Sequence, residues 1–133
     1  MKAVGIICEY NPFHNGHLHH VTEAKRVASA EIAVAVMSGQ FLQRGEPALV
    51  DKWARTKMAL ANGVDVVLEL PYAFSTAPAN LFAKGAVHLL DAIQCSSIAF
   101  GSEQGTIAPF LNSYRLIEEN RDAYNAAIKE AVA

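Results

Sequence analysis

Four histidines, His14, His17, His19 and His20, fall within seven residues, just after an Asn11-Pro12 pair and around Gly16. An imidazole donates a hydrogen bond to a phosphate oxygen in either protonation state, and its ordinary pKa of about 6.5 keeps both states within reach. Gly16 lets the backbone approach a ligand closely, and Asn-Pro forces a turn. A helix opening at this point would add unpaired N–H groups and a partial positive charge, the makings of a phosphate site. A metal site is the competing reading. It needs neither Pro12 nor Gly16, and the i, i+4 pairing of H-E-x-x-H is missing, so phosphate binding by His14 and His17 is favoured. His19 reads as a surface or packing residue. His20 does too, although it lies one helical turn from His17 and within reach of a site there. Tyr10 and Phe13 are equally readable as core aromatics.

The elements that must position this segment follow from short apolar runs alternating with longer amphipathic ones. Strands are predicted over Ala3–Glu9, Glu31–Ser38, Val64–Leu70 and Ser96–Phe100. Helices are predicted over Asn15–Ser29, over Lys52–Ala61 behind an Asp51 cap, over Asn80–Ile93, and from Thr106 to Ala133 with a break near Asn120–Asp122. Residues 71–78 read as loop. Alternation of this kind predicts an α/β fold: a Rossmann-like open parallel sheet with helices on both faces. Ligands of such sheets bind at the carboxyl ends of the strands, so Tyr10–His17, Ser38–Pro47, Pro71–Pro78 and Gly101–Gly105 are the segments to inspect.

The 133 residues suit a single domain with its own core. Hydrophobic residues make up 52% and charged residues 18%, which argues against intrinsic disorder and fits a sheet buried on both faces or a face meant for more protein. A net charge of −2 is not that of a typical nucleic-acid binder. The two cysteines, Cys8 and Cys95, exclude a disulfide scaffold and a cysteine zinc knuckle, and no metal ligand set is predicted. The opening apolar run is too short for a signal peptide, and no stretch nears the ~20 apolar residues of a membrane helix. A cytoplasmic chain with reduced thiols is expected.

Beyond the histidines, Gln43, Arg44 and Glu46 are polar residues in the second post-strand loop, and Lys52 and Arg55 share a face of the next helix. Arg44 and Arg55 are balanced between contact with substrate phosphates and solvated charge, with Lys52 less favoured; Gln43 is grouped with Arg44 and Arg55 as a candidate substrate contact. Trp53 reads as a packing residue. Glu69, ending a strand, is readable either as functional or as a hydrogen-bonded structural carboxylate. Lys84 and His88 read as exposed or packing residues.

Tyr10–His17, Tyr-Asn-Pro-Phe-His-Asn-Gly-His, resembles the H-x-G-H signature of the nucleotidyltransferase superfamily. Asn11 and Cys8 depart from the Asp and Gly that many members carry there. Taken in order, Ile6–Leu18, Met37–Ala48, Asp51–Arg55, Asn62–Pro71 and Phe100–Glu103 resemble more narrowly the N-terminal domain of the bacterial tRNA(Met) cytidine acetate ligase family. That resemblance implies ATP as ligand, with Mg²⁺, and His14 and His17 on its phosphates. It implies ATP contacts along Ile7, Cys8, Glu9, Tyr10, Asn11, Pro12, Phe13 and Asn15 and at Gly101; Gly16 and His20 join them by their place at the turn and on the helix, and Ser102 and Glu103 because they follow the fourth strand, where an open α/β sheet would receive the adenosine. It implies activation of acetate as acetyl-adenylate, then acetyl transfer to the wobble cytidine of elongator tRNA(Met). A serine- and arginine-containing phosphate motif of the superfamily has no match after Gly105. The expectation is therefore one nucleotidyltransferase-like ATP-binding domain over 1–133, truncated before the family's C-terminal portion or catalytically reduced, with tRNA contacts lying elsewhere. Another small-molecule adenylyltransferase, or a nucleotide-binding assembly module able to self-associate through its tail, are the alternatives.

Overall fold

A computed structural model describes residues 1–132, and the predicted helical end at Ala133 lies outside the described residues. The chain packs as two compact units, Met1–Phe100 and a second from Gly101 onward.

The first unit is built on a four-stranded parallel sheet of order β3-β2-β1-β4, with β1 (Ala3–Cys8), β2 (Ile32–Ser38), β3 (Val66–Leu70) and β4 (Ser97–Ala99). β1 is central, its Ile6 paired with Ala35 of β2 on one side and Ala99 of β4 on the other. α1 (Asn15–Ala28), α2 (Lys52–Ala61), a short α3 (Tyr72–Ser75) and α4 (Ala79–Ala92) complete this unit.

Both faces of the sheet are covered, which is why its inner strands are apolar throughout rather than alternating. Val4, Ile6, Ala33, Ala35 and Met37 form one core with Val21 and Ala24 of α1 and Ala59 of α2. Val34, Val36 and Leu70 form the other with Ala86 and Leu90 of α4. The crossovers that put helices on both faces also bring the carboxyl ends of all four strands to one edge.

The predicted α/β architecture is the one found, and Asp51 caps α2 as expected, its Oδ1 accepting from the N–H groups of Trp53 (2.9 Å) and Ala54 (3.0 Å). Two local differences have physical causes. β3 starts at Val66 rather than Val64 because Asp65 is diverted: its carboxylate accepts from the Ala33 N–H (2.7 Å) and pairs with Lys25 (2.6 Å). The segment read as loop contains α3, which opens as the Phe74 and Ser75 N–H groups donate to the Pro71 carbonyl, both at 2.9 Å. Proline at a helix start sacrifices nothing, since that N–H would be unpaired in any case.

In the second unit, α5 (Ala108–Glu119) and α6 (Arg121–Ala131) are separated at Asn120, inside the stretch where a break is predicted. Neither helix buries a residue.

Candidate functional site

β1 ends at Cys8 and the chain reverses through Glu9–Phe13 into α1. Tyr10 takes a left-handed backbone conformation (φ 46°), and the Asn11-Pro12 peptide is cis. Tyr10 is buried in the core, and Phe13 packs against the same cluster.

His14 is the cap of α1. Its Nδ1 accepts from the Gly16 N–H (3.1 Å), while its own N–H donates to Nδ1 of His17 (3.2 Å), a reciprocal capping box made by two histidines. The two rings stack, centroids 3.7 Å apart and planes 28° apart. Tyr10 and Phe13 wall in His17, with ring centroids at 4.8 and 5.5 Å. An Nδ1 that accepts a hydrogen bond is unprotonated, so each neutral ring carries its proton on Nε2. The helix cap thus fixes the tautomer, and Nε2–H is the donor each histidine has to offer. A Cβ on Gly16 would stand 3.0 Å from the His14 ring, so glycine keeps the cap closed.

An open cleft of about 470 Å³ lies beside this turn, lined by Ile7, Cys8, Glu9, Tyr10, Asn11, His17 and His20, with Gln43 from the second loop and Phe82 from α4. His20 has its Nε2 buried without a hydrogen-bond partner among the described residues. The Cys8 thiol donates to the Val36 carbonyl (3.6 Å), and burial pushes its pKa up to about 12, which makes it a packing group rather than a nucleophile. Burial likewise raises the pKa of Tyr10, whose hydroxyl has no partner of hydrogen-bond geometry among the described residues; the Cys8 thiol is its polar neighbour.

The second loop is tied to the first by side chains. Glu9 Oε1 accepts from the Gln43 N–H (2.8 Å), and Asn11 Oδ1 accepts from the Leu49 N–H (2.7 Å). Arg44 is exposed beside Gly45 at the loop tip.

Arg55 corrects the sequence reading, which weighed phosphate contact against solvated charge. Its side chain is fully buried and donates to the carbonyls of Val50 (2.9 Å), Glu9 (2.6 Å) and Ser38 (3.1 Å), and to that of Gly39. The helical-face argument placed Arg55 with Lys52, but the guanidinium turns inward to backbone carbonyls. Lys52 itself pairs with Glu69 (2.6 Å), and Trp53 is exposed rather than packed.

Gly101, Ser102 and Glu103 belong to the second unit, where they line an open depression of about 420 Å³ with Pro109, Phe110 and Ser113. Phe82 is the lining residue the sequence did not single out. Its neighbours in α4 are equally apolar, and only the fold brings it to the cleft.

Desolvation lowers the pKa of His17, with smaller contributions from the His14 and His20 imidazoles. Burial, then His19, lowers that of His20. Well above pH 6.5 both rings are neutral folded or unfolded, and the shifts have no effect on stability. As pH falls below about 6.5, the unfolded chain takes up protons that the folded chain resists, so stability is lost through the folded pKa values. Denaturation midpoints between pH 7 and 5 are expected to fall less steeply for a His17→Gln, His20→Gln variant than for the parent; parallel slopes would contradict this.

A parallel sheet whose first strand hands an H-x-G-H turn to a helix N-terminus defines a nucleotidyltransferase-type domain. The chain belongs to the HIGH nucleotidyl transferase family, whose sequence profile matches residues 1–133. Among curated relatives, the tRNA(Met) cytidine acetate ligase of Lysinibacillus sphaericus (strain C3-41) is 67% identical over 132 residues, covering 99% of this chain and 33% of that protein. The protein of that name from Bacillus subtilis (strain 168) is 57% identical over 130 residues, covering 98% of this chain and 31% of its own length. The crystal structure of Thermotoga maritima TmcAL bound with alpha-thio ATP matches with a TM-score of 0.87 at 48% identity, over 99% of this chain and 32% of that one. The chain thus spans about a third of the length of the relatives it matches.

Proposed function

We propose that this chain is an ATP-binding domain that serves the activation of acetate as acetyl-adenylate, for acetyl transfer to the wobble cytidine of elongator tRNA(Met). The observation that carries the reading is the stacked His14–His17 pair at the N-terminus of α1, each ring held by the backbone through Nδ1 with Nε2–H as its remaining donor. The relatives' shared name, and the alpha-thio ATP bound to the Thermotoga maritima protein, support it.

In the proposed reaction an acetate oxygen attacks the α-phosphorus of ATP, and the bond to the bridging oxygen of the leaving pyrophosphate breaks. The cytidine exocyclic amine then attacks the acetyl carbon, AMP departs, and the amine loses a proton. No enzyme nucleophile is needed, which accords with a Cys8 thiol pushed up to about 12. The work left to the protein is positioning and electrostatic stabilisation. The α1 N-terminus and the two imidazoles supply donors for the phosphates, and Ile7 and Phe82 give the cleft apolar walls. Mg²⁺ would neutralise phosphate charge. Among the described residues no group of three His, Cys, Asp or Glu side chains gathers to hold a metal, so the ion fits as one carried by the triphosphate. Recognition of tRNA is not assigned to this mildly acidic span.

The test is an NMR titration of the chain with ATP and Mg²⁺. Shifts centred on Tyr10–His17 are expected, and shifts at Gly101–Glu103 would bring the second unit into the site. No binding at millimolar ATP would overturn ATP binding by this chain.

A further inference from the structure

The buried Arg55 has a role that neither phosphate contact nor surface charge describes. Its planar guanidinium offers five N–H groups. Four are used, by Nε on Val50, by Nη1 on Glu9 and Ser38, and by Nη2 on Gly39. All four acceptors are backbone carbonyls, and among the described residues no carboxylate forms an ion pair with it. A buried cation is tolerated only when its donors are met, so these carbonyls and the arginine depend on each other.

The acceptors are informative by position. Ser38 ends β2, Glu9 follows β1, and Gly39 and Val50 bracket the second loop. Glu9 is bound twice, its carbonyl by Arg55 and its carboxylate by the Gln43 N–H. Asn11, two residues on, takes the Leu49 N–H. Arg55 therefore sits under the junction between the signature turn and the second loop. At the carboxyl edge of a parallel sheet the terminal carbonyls have no next strand residue to bond, and their oxygens would repel an anion. Arg55 occupies three of these, on Glu9, Ser38 and Gly39.

We infer that Arg55 is a positioning residue for the phosphate site: it fixes the signature turn and the second loop to the ends of β1 and β2 and takes the carbonyl oxygens there out of the way of a bound anion. The functional half rests on the ATP reading above; the structural half does not. Lysine keeps the charge but not the fork, and cannot reach four carbonyls at once.

The experiment compares Arg55→Lys with Leu90→Ala, a core variant under the opposite face of the sheet that lowers global stability without touching this junction. Amide hydrogen exchange is followed at Gln43 and Leu49, whose acceptors are side chains of the signature turn, and at Ala33 and Asp65, which bond to each other near the amino ends of the strands. In Arg55→Lys, exchange at Gln43 and Leu49 is expected to speed up at least tenfold relative to Ala33 and Asp65. ATP affinity is expected to fall about tenfold while adenosine affinity holds. Leu90→Ala should move all four amides together and leave the ATP-to-adenosine ratio unchanged. Equal acceleration of all four amides in Arg55→Lys overturns the structural half. Should Arg55→Lys not fold, the parent decides: the Arg55 Nε–H proton must be protected to the degree of the Gln43 amide, and free exchange there overturns the inference. Failure of the parent to bind ATP removes the phosphate reading, while the exchange result still decides whether Arg55 holds the junction.

Discussion

Exchanging both signature histidines, His14→Asn with His17→Gln, is expected to cut ATP affinity about a hundredfold while leaving the fold nearly as stable. The substitutions are chosen for the cap. Asparagine is among the best helix N-caps, and glutamine at the third helical position can reach back to the cap N–H, so both ends of the box survive. What is lost is the pair of Nε2–H donors that the imidazoles retain once their Nδ1 atoms are engaged in the cap. A hydrogen bond to a charged group is worth about 1.5–3 kcal/mol, so two of them at the lower bound amount to roughly a hundredfold. Isothermal titration with ATP and with adenosine, beside thermal unfolding, separates the possibilities. Weakened ATP binding with adenosine binding and unfolding temperature preserved is the expected result. Unchanged ATP affinity would remove the histidines from the site, and a large drop in stability would make them structural.

A large loss of stability is expected from Gly5→Val. Gly5 lies mid-strand in β1, paired with Val34 on one side and Ile98 on the other, so its backbone cannot retreat. A Cβ there would stand 2.5 Å from Leu90 Cδ1 and 2.7 Å from Cδ2. Leu90 is itself fully packed. Overpacking a closed core costs about 1–3 kcal/mol, and the branched valine belongs at the upper end, equivalent to a fall in unfolding temperature on the order of 10 °C. Leu90→Ala alone opens a cavity and costs about 2–5 kcal/mol. In the double variant the new methyls fill that space, so the two costs are expected to fall short of their sum by more than about 1 kcal/mol. Strict additivity in urea unfolding would show that Gly5 and Leu90 do not share this space.

How much of this was legible beforehand differs by residue, and the differences have one origin. The strands β1 and β2 are unbroken apolar runs, α2 announces itself with Asp51, and the alternation of strand and helix dictates a parallel sheet with one functional edge. These depend on local periodicity and capping, which neighbours in sequence determine. Tyr10–His17 was legible for the same reason: turn, close approach and helix start are local features, and the histidines lie within them. Asp65, Phe82 and Arg55 were not. Asp65 lies in an apolar run that reads as strand, and only the Ala33 N–H and Lys25 brought near it by folding turn it into a bridge. Phe82 is one apolar residue among several in α4 until the crossover sets it against the cleft. Arg55 at i+3 from Lys52 looks like half of a basic face. It becomes a buried clamp because the parallel sheet ends β1 and β2 side by side, leaving carbonyls that have no partner within their own strands. Sequence by itself determined the longer elements and the signature turn, though not α3, because those are written in short-range spacing; the tertiary structure alone decided which side chains hold that turn in place, because their partners lie 16 and 46 residues away along the chain.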